Sequence, residues 1–367
     1  MTSEQRSVLS RALVIGGSGL LGHHIVKKLF EANKTIHIVV LDIATTQNRV
    51  DGVTYVIGSI TSANDVAEVL KEHAPEVIFH TVSPNPLSEN KKRFDDVNIK
   101  GTQNLLDCIQ TCSAVKALVY TSSSSVIHNS YTDLNKVTED LPLFFAPQQK
   151  AYYSHTKAVA EDLIIKANRT HGLLTTSIRP ASLFGEGDRL LTGNMIGLGR
   201  KNLVIGGGKN NFDFTYVGNN AYAQVLAAEA LIRASNSQDS ILHDARVDGE
   251  AFVVTNDEPW PFWEFARALA LGAGYPVDTS KTRHIPAGLL FVLVGFWEWL
   301  FKMVTFGSRQ PSVTTRMIVP TTLERTFDIT KAKTRLGYRP QVTMQEGIDR
   351  ATKWYKAQDT SGLKKAT

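Results

Sequence analysis

Two cysteines in 367 residues are too few for a disulfide framework in a chain of this length. Both lie in TQNLLDCIQTC, as Cys108 and Cys112, where the apolar spacing predicts a helix carrying reduced thiols one turn apart. Charge of one sign is also scarce. The formal net charge is +5 and the lysines are scattered, with only short pairs such as Lys91-Lys92 and Lys364-Lys365, so no nucleic-acid footprint is expected. No repeat or low-complexity tract appears. The opening MTSEQRSVLS is polar, which argues against a cleavable signal and for a body facing a reducing, cytosolic compartment. Nor are the histidines spaced as metal ligands. His23, His24 and His80 are read as structural, and no metal is expected. Long apolar runs are lacking too, with one exception at 285–306, IPAGLLFVLVGFWEWLFKMVTF.

The first half has a clear rhythm. Apolar, β-branched runs at 11–15, 36–41, 53–57, 76–80, 115–121 and 173–178 alternate with helical patterns that begin near Leu20, Ser62, Asp95 and Tyr152. Such alternation predicts an α/β fold, a doubly wound parallel sheet of the Rossmann type covered on both faces. After Pro180 the rhythm breaks into glycine-rich turns with mixed short elements, read as a smaller α+β lobe beside a cleft. The expected division is 8–185 for the nucleotide-binding domain and 186–367 for the substrate lobe with returning elements.

Three groups of residues carry chemistry. GGSGLLG follows the first strand and opens a helix, with Gly16, Gly17, Ser18, Gly19, Leu20, Leu21 and Gly22 forming the turn. Glycines there allow a tight turn and close approach to a pyrophosphate, which the helix N-terminus attracts. Asp42 stands twenty residues beyond Gly22, at the end of the second strand, placed for a ribose diol. Its charge repels a 2′-phosphate and no arginine follows it, so NAD is expected over NADP. The third group is Tyr153 and Lys157 in AYYSHTKAVAE, one turn apart on a helix, together with a serine of the strand end VYTSSSSV. A lysine ammonium beside a phenol is expected to lower its pKa towards that of a working base, while the serine holds the substrate oxygen.

With these residues in order, the chain resembles the extended short-chain dehydrogenase/reductases, and among them the 3β-hydroxysteroid dehydrogenase family, in its branch of decarboxylating sterol-4α-carboxylate dehydrogenases. VIGGSGLLG, VIFHTVSP, YTSSSSV, YYSHTKAVAE, SIRPASLFGEGD, FVVTNDEPWPFWEF and RTFDITKAKTRLGYRP carry the likeness. The resemblance implies Ser123, Tyr153 and Lys157 as catalytic residues. It implies a cofactor site that includes the glycine loop, Asp42, Ser59, Ile60, Thr81, Val82, Ser83 and Pro180. Two positions depart from the family pattern: Gly58-Ser59 replaces a Gly-Asp pair near the adenine, and Ile15 replaces a threonine.

The implied reaction is NAD-dependent oxidation of a sterol or triterpenoid 3β-hydroxyl, with loss of CO2 where the substrate carries a 4α-carboxyl. A nucleotide-sugar epimerase or dehydratase, and a non-catalytic NAD sensor, are the alternatives on the same fold. A homodimer paired through its helices is also implied. For a membrane-dissolved substrate, the 285–306 run is expected to be a peripheral anchor on the endoplasmic reticulum or a lipid droplet. Its uncharged stretch, Ala287 to Trp297, is short of the roughly 20 apolar residues a span needs. Glu298 and Lys302 are expected to pair, and Trp297 and Trp299 to settle at headgroup level. The alternative is a buried helix of the small lobe.

Overall fold

The computed structural model describes residues 8–237, 245–306, 311 and 313–363, and Lys364-Lys365 lies outside them. Strands β1 (Arg11–Ile15), β2 (His37–Asp42), β3 (Thr54–Ile57), β4 (Val77–His80) and β5 (Ala117–Thr121) follow the expected runs closely. After β6 (Leu134–Val137), which joins another sheet, β7 (Leu174–Pro180) completes the series. Both faces of the main sheet are covered. Ala12 and Val14 of β1 enter one apolar cluster, while Leu13 and Ile15 enter the opposite one. That is why these strands read as continuous apolar runs rather than alternating ones.

Helices α1 (Leu20–Ala32), α2 (Ala63–His73) and α5 (Tyr152–Lys166) start at or next to the predicted positions. The helix expected near Asp95 is composite: α3 (Lys91–Phe94) continues through a π-helical stretch, Asp95–Lys100, into α4 (Gly101–Ile109). Because α4 ends at Ile109, Cys112 lies beyond it rather than one turn along it, and both thiols are free.

Beyond β7 run β8 (Ser182–Phe184), α6 (Leu191–Gly199), β9 (Leu203–Ile205), β10 (Asn211–Phe212), β11 (Phe214–Tyr216) and α7 (Val217–Asn236). Then come β12 (Glu250–Val254), β13 (Trp260–Pro261), α8 (Phe262–Gly272), β14 (Arg283–Ile285) and α9 (Ala287–Val304). The last pieces are α10 (Thr315–Ile318), β15 (Arg325–Phe327), α11 (Thr330–Arg335) and α12 (Met344–Leu363).

The main sheet has seven strands in the order β12-β7-β5-β4-β1-β2-β3, all parallel. Strand order reverses between β1 and β4, the switch point where such sheets open a crevice at the carboxyl ends of their strands. β12 reaches this sheet from the second half of the chain, and α7 packs on α1 and against β5 and β7. A second sheet, β13-β10-β15-β6, brings β15 across from near the C-terminus to face the end of β5.

Helix α9 is not buried in the small lobe. One stripe, with Ala287, Leu290, Phe291 and Val294, leans on the body, and only Val294 of the helix is fully covered. Glu298 accepts hydrogen bonds from the Thr315 amide (2.9 Å) and hydroxyl (3.0 Å) instead of pairing with Lys302. The other faces leave Leu289, Val292, Phe296, Trp297, Trp299 and Met303 exposed.

Candidate active site

At the crevice, Gly16 follows β1 with φ +86°, a conformation that favours glycine. A Cβ there would lie 2.8 Å from Thr81 Oγ1 and 2.9 Å from a Val82 methyl, so the loops after β1 and β4 touch through the missing side chain. Gly22 sits on α1 so close to the turn that a Cβ would come within 2.2 Å of Gly16 O. Thr81 Oγ1 donates to Ile15 O at 2.8 Å and ties the two loops together. Helix α1 begins without a side-chain cap and without an acidic residue in its first turn, and the buried Ser18 hydroxyl there has no partner. An uncapped, electropositive helix start with an unpartnered hydroxyl fits a bound anion. Asp42 stands beside it, with Oδ2 accepting from the Ser18 amide at 3.0 Å. Ser83 follows Val82 in the β4 loop, and Pro180 ends β7 opposite Val254.

Not every predicted cofactor residue turns its side chain to the crevice. Ile60 is buried, and its carbonyl accepts from Asn104 at 2.7 Å. The Ser59 amide donates to Asp65 Oδ2 at 2.8 Å. Gly58 is hemmed in by Leu41 and Asp65, whose atoms lie 2.8–3.1 Å from a would-be Cβ. His23 and His24 each donate to a backbone carbonyl, of Asn48 and Glu186 respectively.

The four serines after β5 are held in different ways. The Ser122 amide donates to Ile178 O (2.7 Å), holding the loop against β7. Ser123 Oγ lies 2.8 Å from Ser125 Oγ, to which Ser154 Oγ also donates at 2.8 Å. Ser124 Oγ accepts from Arg325 Nη2 at 3.0 Å. The two tyrosines of α5 also diverge. Tyr152 donates to the Asp95 carboxylate at 2.8 Å, whereas the Tyr153 phenol lies under the influence of Ser123. Lys157, fully buried, donates to Thr121 O at 2.5 Å and lies 4.5 Å from the centre of the Tyr120 ring. Ser123, Tyr153 and Lys157 thus converge where β5 ends, beside the crevice.

The electrostatics differ from expectation. Burial pushes the Tyr153 phenol up to about 12, while the Ser123 hydroxyl and the Arg325 charge pull it down. Burial lowers the Lys157 ammonium to about 7, with Glu161 opposing. Ser123 and Arg325 thus oppose the rise at the phenol, while Lys157 spends its hydrogen bond on Thr121 O. Arg325 opens the RTFDITKAKTRLGYRP segment, but nothing in that segment gave it a place in the site. It stands 172 residues beyond Tyr153 and reaches the site only because β15 joins the second sheet.

Among solved structures, the fold is similar to UDP-glucose 4-epimerase of Thermotoga maritima, with TM-score 0.68 and 19% identity over 95% of this chain and 99% of that one. The Thermus thermophilus UDP-glucose 4-epimerase, solved in complex with NAD, gives TM-score 0.66 and 21% identity over 94% and 99%. These likenesses speak to the fold. Sequence relatives are nearer. The decarboxylating sterol-4-alpha-carboxylate 3-dehydrogenase of Saccharomyces cerevisiae is 34% identical over 95% of this chain and 98% of its own length. Its counterpart in Mus musculus is 34% identical over 94% and 90%. The 3beta-hydroxysteroid-dehydrogenase/decarboxylase isoform 1 of Arabidopsis thaliana is 36% identical over 92% and 78%. The profile of the 3-beta hydroxysteroid dehydrogenase/isomerase family matches residues 13–284, and the chain belongs to that family.

Proposed function

We propose that this protein oxidises the 3β-hydroxyl of a 4α-carboxysterol, or a closely similar triterpenoid acid, with NAD as acceptor and with loss of CO2. The observation that carries the reading is the convergence of Ser123, Tyr153 and Lys157 at the end of β5, in the same parallel sheet whose β1 leads into the Gly16–Gly22 turn and whose β2 ends in Asp42. The names of its relatives point to the same chemistry. NAD, when bound in that crevice, supplies the hydride acceptor.

Ser123 Oγ holds the substrate hydroxyl in line with Tyr153, and Tyr153 takes the hydroxyl proton at its phenolic oxygen. Lys157 sits one turn behind, where it would help to hold the bound cofactor; in this structure it donates to Thr121 O. The resulting ketone stands β to the carboxylate, so the adjoining carbon–carbon bond is primed to break without a further catalytic pair.

Substrate class and location agree with α9. Contiguous exposed apolar surface marks a contact site, and α9, 18 residues of mean hydropathy 1.7, leaves most of its large apolar side chains exposed beside the lobe. We take it as a monotopic anchor that sets the catalytic body on the cytosolic face of the endoplasmic reticulum or on lipid droplets.

The test is to incubate the protein and NAD with 3β-hydroxysterols with and without a 4α-carboxyl, following NADH and CO2. Stoichiometric NADH and CO2 from the acid are expected. A nucleotide-sugar substrate turned over with no net NADH would reject the reading in favour of an epimerase.

A further inference from the structure

Two arginines have guanidinium groups drawn into the protein, Arg179 buried and Arg325 half-buried, and they are treated differently. Arg179 has a carboxylate of its own: Glu161 accepts from its Nη2 at 2.5 Å and from its Nε at 3.0 Å. Buried guanidinium groups ordinarily have such a partner, because an unpaired buried charge is costly. Arg325 has none among the described residues. Its Nη2 donates to the neutral Ser124 hydroxyl, its Nε is sealed from solvent without a partner, and its guanidinium carbon lies 5.4 Å from the centre of the Phe212 ring and 5.8 Å from that of Phe327.

Asp213 acts on Arg325 through space but does not pair with it. One of its oxygens accepts from the Phe327 amide at 2.8 Å, and the other is buried without a partner. Burial also pushes its carboxyl up to about 7, so it offers an incomplete charge at neutral pH. The guanidinium nonetheless sits next to the chemistry, bonded to the serine after Ser123 and within electrostatic reach of the Tyr153 phenol.

We propose that Arg325 is the receptor for the substrate carboxylate, and so the residue that makes this site prefer a 3-hydroxy acid to a neutral 3-hydroxysterol. The assignment rests on the function proposed above. A planar guanidinium suits a carboxylate, and the Phe212 and Phe327 rings fix its plane. The same contact serves the step that follows oxidation. The bond between C4 and the carboxyl carbon breaks, its electron pair becomes the enolate of the C3 ketone, and the carbon leaves as CO2. The negative charge thereby moves from the oxygens at Arg325 to the oxygen at Ser123 and Tyr153, and C4 then takes a proton from water. No further oxidant or reductant is needed.

The test compares wild type, Arg325→Gln and Arg325→Lys on a 4α-carboxy-3β-hydroxysterol and on the same sterol without the carboxyl, both in detergent micelles with NAD. Any loss of the pull of Arg325 on Tyr153 falls on both sterols alike, so the readout is the ratio: Arg325→Gln should lose about 10–100-fold more in kcat/KM on the acid than on the neutral sterol, chiefly through KM. Arg325→Lys should fall between. Equal losses on both sterols overturn the assignment and make Arg325 a support of Tyr153 or of the fold. Should the variants lack the wild-type melting transition, the wild type decides: the acid should exceed its methyl ester by at least about tenfold in kcat/KM, and parity overturns the proposal. A wild type that oxidises neither sterol fails earlier, at the proposed function itself.

Discussion

Tyr152 and Tyr153 are neighbours with different surroundings, and that difference gives a direct test. Tyr153→Phe should lower turnover by about 10²–10⁴-fold with NAD affinity near normal, since the phenol moves a proton and does not anchor the cofactor. Tyr152→Phe removes only a hydrogen bond to Asp95 and should leave most of the rate. Steady-state kinetics with NAD titration by tryptophan fluorescence would tell the two apart. Asp42 governs cofactor choice: the wild type should prefer NAD in kcat/KM, and Asp42→Ala should narrow the gap to NADP while also freeing the Ser18 amide.

Two buried histidines should make the protein less stable in acid. Burial holds His80 down to about 3 and His128 to about 4, against a starting value of 6.5. Below 6.5 the unfolded chain takes up protons that the folded protein refuses. Stability should therefore fall as pH drops from about 6.5 towards 4, by up to about 1.4 kcal/mol per site for each pH unit. Urea midpoints between pH 7 and pH 5 would show it, and His128→Asn should flatten the slope. At this scale, motif residues were legible because spacing fixes them on one turn or one helix face. The roles of Arg325, Ser124 and Asp213 were not, since only the pairing of distant strands brings these residues together.

Among the elements, α9 shows where sequence reading stops. Its length and greasiness were plain, but a helix apolar all round has no polar face to reveal its orientation. The structure supplies the phase. Leu290, Val294 and Phe301 belong to the covered or half-covered stripe, whereas Val292, Phe296 and Met303 face outwards. Replacing the outward three with serine should release the protein from liposomes and leave its melting temperature close to wild type. Val294→Asp should instead lower that temperature sharply, because it buries a carboxylate against the lobe. A wild type that fails to float with liposomes would reject the anchor. The strands of the first half were legible for the opposite reason, since burial on both faces leaves an unbroken apolar run bounded by turns.

For the whole molecule, elements of the second half of the chain return to the main sheet. That sheet takes its last strand from residues 250–254 and a covering helix from residues 217–236. No local pattern marks Glu250–Val254 as belonging there; the pairing Phe252↔Ile178 is a decision made across more than seventy residues. The late arrival of that strand affects synthesis. While the ribosome is still making residues 181–249, β7 has a bare edge of unpaired amides and carbonyls, the kind of surface that recruits another chain. A nascent protein halted after residue 185 should therefore bind holdase chaperones or aggregate, while one halted after residue 260 should do so less. Pulse-labelled ribosome–nascent-chain complexes of the two lengths would show whether folding waits for that seventh strand.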